Sequence, residues 1–166
     1  MTTNVLTAKV TRVSARNLAL RYGGLAFGLM LLYFFVINAL GLQRSEAVRF
    51  GSHAFTVLAA FLAVRAYKAQ APGPAPYLPG LGLGFLVGLV GSGLFAFFIL
   101  LYANVFSSAY QIELRAQTYF GAALGSGVLT ATIVLFGVVL GSLTSYALMM
   151  ANGTEAQAAT GESSGD

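Results

Sequence analysis

The chain has 166 residues, 57% of them hydrophobic and only 8% charged, with a mean hydropathy of +0.78. An ordinary soluble domain carries roughly 25% charge, so this composition describes a membrane protein, with room for one domain and none for a separate soluble catalytic unit. Nine Lys and Arg against five acids leave a charge of +4, but the basic residues sit at segment ends, which argues against nucleic acid as a partner, and zero cysteines exclude a disulfide, a thiolate metal site and a cysteine nucleophile.

The first expected span covers residues 22–42, "YGGLAFGLMLLYFFVINALGL", and follows a basic segment bearing Lys9, Arg12, Arg16 and Arg21. Its apolar run is longer than a signal peptide's and lacks a clear small-residue cleavage site, so it reads as a retained span. The second, residues 50–66, is shorter and carries His53 and Thr56. It crosses near the perpendicular or gains length by snorkelling of Arg65 and Lys68. The linker "QAPGPAPYLPG" holds four prolines and ends that helix before the next begins.

The third span covers about 78–104 and the fourth about 120–150; both exceed the roughly twenty residues that a hydrocarbon core requires and are expected to tilt or project. Between them "FSSAYQIELRAQTYF" is aromatic and half polar, a pattern expected to form a short interfacial helix. Residues 151–166 are small, polar and mildly acidic and are expected to be disordered. The fold class is therefore all-α, an integral membrane four-helix bundle in a single domain, 1–150. With four spans the termini share a side, which collects Lys9, Arg12, Arg16, Arg21, Arg65 and Lys68 against Arg44, Arg49 and Arg115 opposite. That bias predicts cytoplasmic termini.

Glycine recurs at a spacing of four. Gly80, Gly84, Gly88 and Ser92 form a stripe on the third span, Gly24 and Gly28 on the first, and Gly121 with Gly125, and Gly137, Gly141 and Ser145, on the fourth. A stripe without side chains lets a second helix approach closely, and in lipid close dispersion contact decides association. These stripes are expected to pack the helices of one chain together. The alternative places one stripe, on the third or fourth span, against a second copy or another membrane protein.

No Asp, Glu, Lys or Arg falls near the middle of a span, so a proton relay or an ion-coupling carboxylate is not expected. The polar groups within spans lie in the outer half: Tyr33, Asn38, His53, Thr56, Tyr102 and Asn104. With Glu113 and Arg115 above them they form a candidate outer vestibule; the simpler reading is interhelical hydrogen bonding with interfacial tyrosines. His53 is the one histidine, and a metal site would require further ligands at defined spacing. The "GSG" around Ser92 departs from the Gly-x-Ser-Gly of rhomboid proteases, since Val90 stands where glycine belongs and no histidine follows.

From the arginine-bearing first span through "PYLPGLGLGFLVGLVGSGLFAFFILLYANVFSSAY", with its Gly-Phe-x-x-Gly at Gly84 to Gly88, to the fourth span, the chain resembles an uncharacterised four-span membrane-protein family of Bacteroidetes. The resemblance covers residues 15–150. It implies a bacterial inner-membrane location and carries over no catalytic residue.

Three functions fit these features. A structural or assembly subunit of a membrane complex fits best, a passive small-solute pore or carrier formed by oligomerisation is the alternative, and a lipid-handling or membrane-embedded enzyme comes third. No catalytic constellation and no cofactor is expected; the lipid bilayer and a second copy or another membrane protein are the expected partners.

Overall fold

A computed structural model describes residues 15–42, 48, 50–71, 75–106, 118–119, 122–123 and 125–161, with backbone only at 118–119, 122–123 and 152–161. Among the described residues the chain is helical apart from one short strand pair, with four α-helices: α1 (Ala15–Ala39), α2 (His53–Ala69), α3 (Tyr77–Leu101) and α4 (Ser126–Gly161). Three apolar segments, Ala15–Ala39, Tyr77–Val105 and Ser126–Ala151, are long and apolar enough to cross a membrane, with mean hydropathies of 1.8, 2.4 and 2.1.

The helix ends follow from local chemistry. α1 begins before the apolar run because Ala15, Arg16, Leu18 and Ala19 are strong helix formers and nothing among them breaks the helix. It stops short of residue 42, since Gly41 takes a left-handed backbone with φ of 67° and its N–H donates to the Asn38 carbonyl. α3 begins at Tyr77 after Pro76, so Pro79 of the expected linker lies within the first helical turn. The missing N–H of proline has no intrahelical partner to lose there. Pro72 and Pro74 lie outside the described residues.

Three further expectations change. α3 passes into a five-residue π-helical turn, Tyr102–Phe106. Most of the expected interfacial helix lies outside the described residues, but Thr118–Tyr119 is extended and pairs antiparallel with Ala122–Ala123. α4 accordingly starts at Ser126 and not at residue 120. It then runs to Gly161, well into the segment expected to be disordered. Ala, Glu and Gln after Thr154 favour helix.

The helices alternate in direction. The α1 side chains Met30 and Tyr33 meet Thr56 and Phe55 of α2, whereas Leu18 and Ala19 share a buried cluster with Ala63 and Val64, so α1 and α2 are antiparallel. Half of the apolar window of α3 is buried, against 28% for α1 and 17% for α4, which makes α3 the central helix. It packs most extensively along α4, then along α1. Two apolar clusters fill the interior. One holds Ala26, Ala59, Ala60, Leu83 and Val87; the other holds Met30, Phe34, Phe95 and Ile99.

Candidate functional site

The α3–α4 seam is built from positions that lack a side chain or nearly so. A Cβ at Gly80 would lie 2.6 Å from the Met149 methyl, one at Gly84 would overlap Ser145 Oγ and the Gly141 carbonyl, and one at Gly88 would overlap the Gly137 carbonyl. From α4, a Cβ at Gly141 would stand 2.5 Å from the Gly84 carbonyl, and one at Gly137 would overlap Ser92. Successive steps of four along α3 thus meet successive steps of four along α4 run in reverse, an antiparallel register in which backbone faces backbone. Ser92 is fully buried; its hydroxyl donates to the Gly88 carbonyl in its own helix and lies 3.5 Å from the Val134 carbonyl of α4. Ser145 Oγ is buried with no hydrogen-bond partner among the described residues.

An adjoining face of α3 approaches α1 through residues the spacing argument missed. A Cβ at Gly23 would lie 2.8 Å from Val90 Cβ, and one at Gly91 would lie 2.8 Å from Ala26 Cβ. The signal was present: Ala19, Gly23, Ala26 and Met30 recur at helical spacing, and all are buried. Gly24 and Gly28, in contrast, have no heavy atom from another element within 4 Å of an added Cβ and sit on the exposed face of α1. Gly125 is likewise open, and Gly121 lies outside the described residues.

The outer polar residues gather at the end of the bundle where α1 and α3 finish and α2 begins. Tyr33 donates to the Val48 carbonyl at 2.7 Å, and a Cβ at Gly51 would run into the Tyr33 hydroxyl. His53 is buried, its ring centroid 5.8 Å from that of Phe136 and 6.2 Å from that of Phe50, and its Nδ1 has no hydrogen-bond partner among the described residues. Thr56 is fully buried, with Oγ1 3.6 Å from the Met30 sulfur, a weak acceptor. Tyr102 stacks on Phe98 and meets Phe34 edge-on at 5.2 Å.

The two asparagines are placed differently. Asn38 is exposed near the end of α1, and the Asn104 amide, also exposed, donates to the Leu100 carbonyl one turn back at 2.7 Å. Glu113 and Arg115 lie outside the described residues. Among the described residues this end holds aromatic rings and hydroxyls packed on one another, with His53 enclosed among them. No group of three or more His, Cys, Asp or Glu that could hold a metal ion occurs among the described residues.

Compared with known protein families, with curated proteins and with solved structures, the chain matches none.

Proposed function

We propose that the chain is a multi-pass protein of a bacterial inner membrane that crosses it four times, keeps both termini in the cytoplasm, and serves as a structural or assembly subunit of a membrane complex. The fourth crossing is α2. Its seventeen residues rise about 25 Å, and it lies antiparallel to α1 with His53 at one end of the bundle and Lys68 at the other. The lysine and arginine bias supports the orientation.

The observation that carries the subunit reading is the outward direction of Gly24 and Gly28. Gly80, Gly84, Gly88 and Ser92 of α3 face Gly137, Gly141, Ser145 and Met149 of α4, so these two stripes are covered within one chain. Gly24 and Gly28 remain open on α1 beside the exposed Leu25, Leu32 and Phe35, a surface that another transmembrane helix can approach closely. The test is affinity capture from native membranes under gentle extraction, followed by native mass spectrometry. A complex of fixed composition is expected from the wild type, with loss of the partner in Gly24→Leu/Gly28→Leu while the chain stays inserted. A lone monomer in both cases would overturn the reading.

A further inference from the structure

The basic residues whose side chains are described share one end of the bundle. Leu18 and Ala19 of α1, Ala63 and Val64 of α2 and Met149 of α4 form one buried cluster, with Tyr22, Tyr67 and Leu148 packed against it. Arg16 and Arg21 flank the α1 members in sequence, and Arg65 and Lys68 flank those of α2. Arg16, Arg21 and Arg65 are exposed. Lys68 is half-buried, and its ammonium donates to the Leu148 carbonyl, so it fastens α2 to α4 instead of joining the outer rim.

The charge balance follows the same division. Under the four-crossing reading, the side holding the termini carries Lys9, Arg12, Arg16, Arg21, Arg65 and Lys68 against Glu155, Glu162 and Asp166, a net of three positive charges. The other side carries Arg44, Arg49 and Arg115 against Glu46 and Glu113, a net of one. The acids of the chain therefore leave half of the termini-side positive charge uncompensated.

We propose that Arg16, Arg21 and Arg65 form a rim that binds the phosphate headgroups of anionic phospholipids in the leaflet facing the chain's termini. A guanidinium offers paired N–H donors that match phosphate oxygens, and its delocalised charge is more weakly hydrated than an ammonium. Tyr22, Tyr67 and Tyr77 stand at the same end, and tyrosine favours the headgroup level, which holds the arginines at the depth of the phosphates. Each basic residue near an anionic surface strengthens binding about fivefold. The inference rests on the membrane reading above.

The test reconstitutes the full chain in phosphatidylcholine vesicles containing spin-labelled phosphatidylglycerol or spin-labelled phosphatidylcholine and measures the fraction of label immobilised against the protein. The wild type is expected to hold phosphatidylglycerol in preference by at least about threefold, with the preference falling at high salt and resisting added inorganic phosphate. Arg16→Gln/Arg21→Gln/Arg65→Gln should bring the ratio near one, whereas Arg44→Gln/Arg49→Gln should leave it unchanged. A wild-type ratio near one overturns the proposal, as does a preference that survives the triple substitution; competition by inorganic phosphate would mean a free-anion site instead. Alkaline carbonate extraction reads insertion separately: a wild type released by carbonate refutes the membrane reading, whereas a retained wild type without lipid preference refutes only the rim. Arg16→Gln alone, with a partial loss expected, serves if the triple variant does not insert.

Discussion

Gly84 of α3 lies directly against Ser145 of α4, so closely that a single added methyl group would overlap the serine hydroxyl and the Gly141 carbonyl beside it. Ser145 can rotate away, but the carbonyl belongs to a helical backbone and cannot move alone. Gly84→Leu is therefore expected to separate α3 from α4 within one chain, and not merely to detach a partner. Overpacking in a close-packed interior costs about 1–3 kcal/mol, and leucine here should reach the top of that range. Reversible unfolding in mixed micelles, followed by helix content, measures it; wild-type stability in Gly84→Leu would refute the seam.

Gly24→Leu and Gly28→Leu form the complementary pair. Both positions are open, so each variant should stay within about 0.5 kcal/mol of wild type in the same unfolding experiment. Strong destabilisation of the isolated chain by either would show that this face of α1 is covered within the monomer.

Ser145 carries a buried hydroxyl with no partner among the described residues. Its replacement by alanine removes the unpaired group and eases the contact with Gly84. Ser145→Ala should match or exceed wild-type stability, by up to about 1 kcal/mol. A clear loss would reveal a hydrogen bond that the hydroxyl makes in the membrane.

Tyr33 and Gly51 act together at the turn into α2. Tyr33→Phe removes the hydrogen bond to the Val48 carbonyl and should cost about 1 kcal/mol. Gly51→Ala should cost more, because its Cβ would meet the Tyr33 hydroxyl while lying 3.1 Å from the Val48 carbonyl. Combining Gly51→Ala with Tyr33→Ala should recover part of the alanine penalty. Strict additivity in that double-mutant cycle would count against the contact.

Lys68 ties α2 to α4. Hydrogen bonds to charged groups contribute about 1.5–3 kcal/mol, and Lys68→Met keeps the aliphatic stem while deleting the donor to Leu148. The variant should lose part of that stability, and Lys68→Arg should restore some of it. If the methionine variant unfolds like wild type, the tie between α2 and α4 carries no weight.

Apolar composition and helical spacing made the helices and the α3 and α4 stripes legible before any coordinate was known, because a run such as Gly80, Gly84 and Gly88 is a property of one helix and its period. The choice of face on α1 was not legible. Gly23 and Gly24 are adjacent, their directions differ by about 100° around the helix, and only the position of α3 decides that Gly23 is covered while Gly24 is open. At the end of α4 two local signals compete: polar composition suggests disorder, whereas Ala, Glu and Gln favour helix, and the helix extends to Gly161.

The sequence by itself determined that this is an apolar helical protein with glycine stripes and with its charged residues kept to the ends of the apolar runs, since hydropathy, period and charge are local quantities. The tertiary structure decided which stripes meet, that Lys68 turns inward while Arg65 stays out, and that His53 is enclosed by Phe50 and Phe136. Those outcomes depend on the relative rotation and register of helices far apart in the chain, and close packing fixes them only when all four are in place.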